Sequence, residues 1–225
     1  RRIDASAEII MFERGPHVSF SNCALPYYLS GTVGSSDALV MMSPAKFKKS
    51  YDIDARVHSE VISIDRKEKT IQVKDTVTGA VTEEHYDTLV LAPGASPIRP
   101  KSIEGVDGPN VYTVRNVTDI VRLKDEMEKN GVKQAAVIGG GFIGIEVAEN
   151  LAKAGKQVTV IEAMNQVLSP LDYDMVQMVQ KEMLDNGLNL IVEDGVAAIH
   201  PDKVVLASGR EVAAEAVVLA IGVAP

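Results

Sequence analysis

Three glycines spaced as G-x-G-x-x-G are the residues of this sequence best suited to bind a ligand. Gly139, Gly141 and Gly144 follow an apolar run of strand length, residues 134–138, and precede apolar residues at helical spacing. In such a turn the first glycine permits the bend, the second lets backbone N–H groups approach a pyrophosphate, and the third lets the helix pack against the strand. The helix N-terminus adds partial positive charge. The pattern predicts a dinucleotide-binding turn, and the alternative is a glycine-rich turn without a ligand.

Acidic residues end two of the predicted strands. Glu162 follows the strand 157–161, 23 residues after Gly139, where a carboxylate can accept hydrogen bonds from the ribose hydroxyls of NADH and repel a 2′-phosphate. NADH is therefore favoured over NADPH, although a nearby Arg or Lys could reverse that preference. Glu13 ends the strand 8–12 in the same way, either as an adenosine ribose ligand or as an ordinary acid at a strand end. No glycine turn precedes Glu13, so we expect the sequence to be an incomplete piece that lacks an N-terminal βα unit.

Cys23 is the single cysteine, which excludes an internal disulfide and any multi-cysteine metal site. Pro26 suits the first turn of a helix, so Cys23 is expected at a helix N-terminus, where the thiol pKa is lowered and the thiolate favoured. Ser19 and Asn22 would suit a solvent-reaching site, whereas the alternative is a small buried hydrophobe. With one cysteine, the oxidised state of a redox site must be a mixed disulfide or a sulfenic acid.

The elements around these residues follow from apolar periodicity. The second half predicts helices over 116–129 and 173–186, a βαβ unit around the glycine turn, and short strands at 188–192, 196–200, 203–206, 211–212 and 216–221. The first half predicts strand 8–12, helices 23–30 and 44–50, a β-meander over 55–87, a buried strand 88–92, and a connector over 97–109.

Residues 88–97 and 216–225 share one form: an apolar strand, a small residue, then x-Gly-x-x-Pro. This echo predicts two nucleotide domains built on one plan, and the alternative is two buried strands with ordinary Gly/Pro turns. The expected fold is α/β, with two Rossmann-like domains that contain parallel sheets and β-meanders. Residues 1–108 would form one of these nucleotide domains in part, and residues 109–225 would form the other.

Composition excludes several classes of protein. The 225 residues carry 23 Lys and Arg against 31 Asp and Glu, a net charge of −8, which argues against nucleic-acid binding. No apolar run is long enough to span a bilayer, and no signal peptide opens the chain. We therefore expect a soluble, cytoplasmic protein with no membrane partner and no bound metal.

The cysteine segment, Ser19-Phe-Ser-Asn-Cys23 followed by Leu25-Pro-Tyr-Tyr28, resembles that of the flavin-dependent pyridine nucleotide–disulfide oxidoreductases. Within them it is most similar to the single-cysteine branch of coenzyme A-disulfide reductases, polysulfide-reducing enzymes, NADH oxidases and NADH peroxidases. The resemblance covers nearly the whole chain, including Ala92–Pro97, Thr113–Asp119 and Gly222–Pro225.

The resemblance implies roles for individual residues. Residues 1–108 would be a partial FAD-binding domain with the redox cysteine, and residues 109–225 an NAD(P)H-binding domain. Cys23 would be the redox nucleophile beside the flavin. Phe142 stands where the family often has a tyrosine gating the nicotinamide, and Glu146 would approach the nicotinamide; the alternatives are a packing residue under the helix and a solvated acid. The implied cofactor-binding set is Glu13, Ser19, Asn22, Val57, Ala92, Pro93, Gly94, Arg115, Gly139, Gly141, Phe142, Ile143, Gly144, Glu146, Glu162 and Gly222.

Three functions follow as hypotheses. In the first, NADH or NADPH reduces FAD, and the electrons pass to Cys23, which reduces a small disulfide such as coenzyme A disulfide or a polysulfide. The second is an NADH oxidase or peroxidase that uses a Cys23 sulfenic acid. The third is a non-catalytic nucleotide-binding module. The family's first FAD glycine turn, its later Gly-Asp segment and its C-terminal dimerisation domain have no counterpart here. A homodimer is expected through that last domain.

Overall fold

The computed structural model describes residues 3–225, which divide into two compact units. The first unit contains the described residues up to Ser21 together with Val40–Pro93, and the second contains Asn22–Leu39 together with Gly94–Pro225. The cysteine therefore lies in the second unit. That residues 1–108 form a partial FAD-binding domain and residues 109–225 an NAD(P)H-binding domain stays a prediction.

Short strands and five α-helices make up the described chain. The helices are α1 (Leu25–Leu29), α2 (Pro44–Tyr51), α3 (Val117–Lys129), α4 (Phe142–Lys153) and α5 (Tyr173–Asp185), with 3₁₀ turns at Asn22–Ala24 and Ser36–Leu39. The strands are β1 (Ile10–Phe12), β2 (Asp54–Arg56), β3 (Ser59–Asp65), β4 (Thr70–Asp75), β5 (Val81–His85), β6 (Ser96–Pro97), β7 (Val111–Thr113), β8 (Gln134–Ile138), β9 (Gln157–Ile161), β10 (Asn189–Ile191), β11 (Val196–Ile199), β12 (Lys203–Leu206), β13 (Glu211–Ala213), β14 (Ala216–Leu219) and β15 (Val223–Ala224).

In the first unit, β1 pairs in parallel with β2, and β3, β4 and β5 form the predicted antiparallel meander. Alternating residues of β4 give the meander one apolar face, on which Ile71 and Val73 are buried. Helix α2 begins where Ser43 accepts a hydrogen bond from the Lys46 N–H, with Pro44 in its first turn.

The predicted buried strand at residues 88–92 is wrong. This segment is irregular, and the side chains of Val90 and Leu91 are 82% and 69% exposed. An apolar run becomes a strand only when neighbouring strands take up its N–H and C=O groups, and no strand of the described residues pairs with this one. The similar segment at residues 216–225 has such neighbours, because its strand β14 lies between β8 and β7.

The second unit is built on a five-stranded parallel sheet in the order β10-β9-β8-β14-β7. Strand β14 is apolar and buried at every residue, and β8 is so over its last four residues, as expected in a parallel sheet covered on both faces. The sequence prediction of a βαβ unit around the glycine turn is confirmed, with α4 packed on β8 and β9. Strands β11, β12 and β13 form a separate antiparallel sheet. The predicted α/β class with parallel sheets and β-meanders is confirmed.

The cysteine-bearing segment, residues 22–29, packs on helices of the second unit. It consists of the 3₁₀ turn Asn22–Ala24 and α1, and α1 contacts both α3 and α4. Leu25 and Leu29 provide its buried side, at 2% and 5% exposure. Among residues 3–225, no helix combines the length and apolar composition that crossing a membrane requires.

Candidate functional site

The glycine turn between β8 and α4 leaves no space for a side chain at two of its positions. Gly139 has φ +106°, and a Cβ there would lie 2.5 Å from the Ala220 carbonyl oxygen. A Cβ on Gly144 would lie 2.0 Å from the Gly139 carbonyl oxygen. The first and third glycines therefore bring the helix against the strand, as the spacing predicted.

Gly141 has the opposite environment. It is exposed, and a Cβ on it would meet no atom within 4 Å. Gly141 is the N-cap of α4, and no side chain caps the helix there. The first-turn N–H groups that follow Gly141 have no acceptor within the helix, and such groups are the donors that a pyrophosphate needs. The residues of this turn therefore fit a dinucleotide.

Glu162 helps to hold the turn in place. Its Oε2 accepts a hydrogen bond from the Gly140 N–H at 2.7 Å, and its Oε1 accepts one from the Met164 N–H at 2.8 Å. Glu162 is half-buried and directly follows β9. Each oxygen keeps a further lone pair, so the group is oriented and can still accept from a hydroxyl.

The sequence analysis missed Gly140 and the loop that covers it. Gly140 is buried, and a Cβ there would lie 2.7 Å from Val167 Cγ1 and 3.3 Å from Glu162 Cβ. The Gly140 carbonyl accepts a hydrogen bond from Leu168 at 2.8 Å. The sequence did contain a signal for Gly140. The motif G-x-G-x-x-G requires Gly139 and Gly141 but accepts any residue between them, so a third consecutive glycine indicates a separate requirement at that position.

The remaining predicted residues of α4 lie at its exposed start. Phe142 and Ile143 are 62% and 50% exposed, so neither is a packing residue under the helix. Glu146 is half-buried one turn further on, and its backbone carbonyl accepts from the Asn150 side chain at 2.8 Å. Two apolar side chains and an acid therefore stand beside the open turn.

Cys23 is exposed and lies in the 3₁₀ turn immediately before α1. Its location next to a helix start agrees with the sequence prediction, and its exposure excludes the alternative of a small buried hydrophobe. A thiol in this position can be reached by a substrate from solvent.

Arg115 connects Asn22, the residue before Cys23, to Ala95 in the predicted segment 92–97. Its Nε donates to the Ala95 carbonyl at 3.0 Å, and its Nη1 donates to Asn22 Oδ1 at 3.4 Å. Gly94 is close, since a Cβ on it would lie 3.5 Å from Arg115 Nη2. Three predicted residues, Asn22, Gly94 and Arg115, are thus brought together.

The two echoing turns also meet in the second unit. Strands β6 and β15 pair antiparallel, with Pro97 opposite Val223, and the Gly222 carbonyl accepts from the Ile98 N–H at 3.1 Å. Gly222 adopts φ +110°, a conformation that favours glycine. The Gly222 turn is therefore placed beside the segment that Arg115 holds.

Five predicted residues belong to the first unit. Glu13 ends β1, and its half-buried carboxylate accepts from the Gly15 N–H at 2.7 Å. The carbonyl of Ser19 accepts from the Met41 N–H at 3.1 Å. The other three are the half-buried Val57, which follows β2, and the exposed pair Ala92 and Pro93. Glu13 provides the carboxylate acceptor that a ribose hydroxyl needs.

Several known proteins resemble this chain over its whole length. A family model described as pyridine nucleotide-disulphide oxidoreductase matches residues 1–225. The chain is 30% identical over 225 residues to the coenzyme A disulfide reductase of Staphylococcus haemolyticus, and 35% identical over 229 residues to the NADH oxidase of Methanocaldococcus jannaschii. Both matches cover 100% of this chain, and they cover 50% and 51% of those proteins. The chain thus spans about half the length of these relatives.

Two solved structures agree closely with the fold. Reduced CoADR-RHD from Bacillus anthracis superimposes with a TM-score of 0.96 at 41% identity, over 100% of this chain and 41% of that one. An NAD-dependent persulfide reductase from A. fulgidus gives a TM-score of 0.94 at 36% identity, over 100% of this chain and 43% of that one.

Proposed function

Because the chain belongs to the pyridine nucleotide-disulphide oxidoreductase family, we propose that the whole protein passes two electrons from NADH, by way of FAD, to Cys23 and on to a small disulfide, persulfide or polysulfide. The observation that carries this proposal is the pairing of an open glycine turn at Gly141 with an exposed cysteine in the same compact unit.

NADH would be held by the turn between β8 and α4. The N–H groups at the start of α4 would bind its pyrophosphate, and Glu162 would accept from the adenosine ribose. The negative charge of Glu162 favours NADH over NADPH, because a 2′-phosphate would bring like charge against a carboxylate that two N–H groups already hold in place. Phe142, Ile143 and Glu146 would shape the nicotinamide side of the pocket.

FAD would be held by Glu13 through its ribose, with Val57, Ala92 and Pro93 of the same unit along the rest of the cofactor. When bound, FAD supplies the path by which a two-electron donor reduces a sulfur. The chain's own contribution is to hold Cys23 and its neighbour Asn22 in place and to leave the thiol accessible.

The thiol chemistry of Cys23 balances without a second cysteine. The Cys23 thiolate attacks one sulfur of R–S–S–R, forming the mixed disulfide Cys23–S–S–R and releasing RS⁻. Two electrons then cleave the mixed disulfide to the Cys23 thiolate and a second RS⁻. One NADH is oxidised for each disulfide reduced, and two protons complete the two product thiols at neutral pH. Coenzyme A disulfide is a candidate because seven of the similar proteins are coenzyme A disulfide reductases by name.

A second candidate function is NADH oxidation by oxygen or peroxide. It is favoured by the 35% identity to the NADH oxidase of Methanocaldococcus jannaschii. In that case Cys23 would cycle between thiolate and sulfenic acid, the other oxidised state open to a lone cysteine.

Steady-state assays of the full-length protein and Cys23→Ser separate the two candidates. We expect NADH consumption driven by coenzyme A disulfide or polysulfide under anaerobic conditions, and its loss by more than about 100-fold in Cys23→Ser. Ferricyanide, which accepts electrons without a thiol, serves as the control and should be reduced equally by both proteins. Consumption driven only by oxygen or peroxide would support the oxidase. Unchanged disulfide turnover in Cys23→Ser would overturn both thiol schemes.

A further inference from the structure

The cysteine-bearing segment is tied to α3 by a cation at each of its ends. Arg115 precedes α3 and bonds the Asn22 side chain, and Lys124 lies within α3 and bonds the Tyr28 carbonyl. Both side chains are half-buried, and all four residues belong to the second unit.

The tie at the N-terminal end is a guanidinium fork. Arg115 donates from Nε to the Ala95 carbonyl and from Nη1 to Asn22 Oδ1, so one planar group spans two segments. The Arg115 backbone is itself fixed, because Asp119 Oδ2 accepts from the Arg115 N–H at 3.1 Å and from Thr113 Oγ1 at 3.1 Å. Asp119 lies in the first turn of α3, so the fork is anchored to a helix.

The tie at the C-terminal end is an ammonium on a helix terminus. Lys124 Nζ donates to the Tyr28 carbonyl at 2.9 Å and lies 4.3 Å from the centroid of the Tyr28 ring. The Tyr28 carbonyl also accepts from the Gly31 N–H at 3.3 Å, so the ammonium is an additional, charged donor at the C-terminal end of the helix, where a cation is favourable. The ring adds a cation–π contact, which strengthens with desolvation.

These ties matter because α1 has only five residues. A helix of that length is not stable by itself and depends on tertiary contacts. Leu25 and Leu29 bury its apolar side, but apolar contacts do not fix the rotation of an exposed 3₁₀ turn. Directional hydrogen bonds at both ends of the segment fix that rotation.

We propose that Arg115 and Lys124 are positioning residues, which hold residues 22–29 so that the Cys23 thiol keeps one orientation. This inference rests on the proposed function for its catalytic consequence, but the positioning itself is a property of the segment. Loss of either tie should increase the motion of residues 22–29 and slow the thiol step, while the glycine turn on α4 is unaffected.

The test uses the full-length protein with Arg115→Met and Lys124→Met. Lys129→Met is the matched control, since Lys129 is an exposed residue in the last turn of α3. We expect amide hydrogen exchange across residues 22–31 to rise about tenfold or more in both variants and not in the control. Disulfide-driven kcat should fall about tenfold in both variants. In Lys124→Met, whose residue lies outside the predicted cofactor-binding set, the KM for NADH, ferricyanide reduction and flavin content should stay within about twofold.

Conservative variants distinguish positioning from general loss of stability. Lys124→Arg can still donate to the Tyr28 carbonyl and stack on the ring, so exchange and kcat should return close to wild type. Arg115→Lys keeps the charge but cannot span Ala95 and Asn22, so it should not recover.

Exchange in Arg115→Met and Lys124→Met equal to that of Lys129→Met would overturn the proposal. So would an equal fall in ferricyanide reduction by Lys124→Met, which would assign Lys124 to NADH or flavin binding. If wild type reduces no disulfide while exchange across 22–31 rises as expected, the proposed function fails and the positioning role stands.

Discussion

At the scale of single residues, the glycines of one turn are required for different reasons. Gly139 and Gly144 are required by the chain itself, because a side chain at either would overlap backbone atoms. Gly141 has no such neighbour, so the fold does not require it. A glycine with open space at a helix start is the one whose replacement should affect a ligand and not the fold.

We expect Gly144→Ala and Gly141→Ala to separate stability from binding. Gly144→Ala should lower the free energy of unfolding by about 3 kcal/mol, because its Cβ is forced against a backbone oxygen. Gly141→Ala should cost less than about 1 kcal/mol, since φ −76° suits alanine, yet reduce NADH affinity about tenfold or more. Urea unfolding and NADH titration measure the two quantities. A Gly141→Ala variant that binds NADH normally would contradict the placement of the pyrophosphate.

Glu162→Gln should weaken discrimination between coenzymes. An amide nitrogen cannot accept, so either the Gly140 N–H or the Met164 N–H loses its partner, and the negative charge disappears. We expect the Kd for NADH to rise about tenfold and the Kd for NADPH to change less, as measured by fluorescence titration of both. Glu149→Gln, which changes an exposed acid paired with Lys153 on α4, is the control. An unchanged ratio of the two Kd values would remove Glu162 from coenzyme selection.

At the scale of elements, strand pairing decides whether an apolar run becomes a strand. Residues 88–92 and β14 have nearly the same sequence form, yet only β14 has hydrogen-bonded neighbours on both sides. The start of the β8–β14 pair is fixed by one carboxylate as well. Glu215 Oε2 accepts from the N–H groups of Lys133 and Gln134 at 2.6 and 3.1 Å.

This contact should make the stability of the sheet depend on pH. The hydrogen bonds from Lys133 and Gln134 lower the pKa of Glu215 below its ordinary value of 4.5. A carboxyl with a lowered folded pKa stabilises the fold above its unfolded pKa, and that contribution disappears as pH falls through the folded pKa. We expect Glu215→Gln to cost about 1 kcal/mol at pH 7, a modest value because the group is exposed to solvent screening.

Urea unfolding of wild type and Glu215→Gln as a function of pH measures this contribution. The difference in the free energy of unfolding should shrink towards zero as pH is lowered below the ordinary carboxyl range. Glu128→Gln, an exposed position of α3, should show little difference at any pH. A pH-independent difference for Glu215→Gln would show that its effect is not electrostatic.

At the scale of the whole molecule, the apolar core is unevenly divided. Among the described residues of the first unit, the buried apolar side chains are Ala55, Ile71 and Val73. The second unit buries the side chains of its parallel sheet and of the helices on it, with Ala136, Val137, Val217 and Val218 fully inaccessible. Stability should follow buried apolar area.

In the 225-residue chain we therefore expect the first unit to open more readily than the second. Amides of β4 should exchange at least about tenfold faster than those of β8 and β14, as measured by hydrogen exchange followed by mass spectrometry. Urea should unfold the first unit at a lower concentration. Equal protection of β4 and β14 would show that the two units unfold as one.

The sequence alone determined the βαβ unit, its glycine turn and the class of the fold. Those features depend on local periodicity and on residues without side chains, and both can be read along the chain. The position of the cysteine before a helix was also recognisable, since Pro26 marks a helix start, whereas its exposure was decided by the tertiary structure.

Only the tertiary structure decided which of two similar apolar runs is a strand, because pairing depends on residues distant in sequence. It also decided that Glu162 bonds Gly140 and that Arg115 reaches Asn22, 93 residues away along the chain. Such contacts arise from the packing of helices and loops, and no local pattern encodes a hydrogen bond between segments that the fold alone brings together.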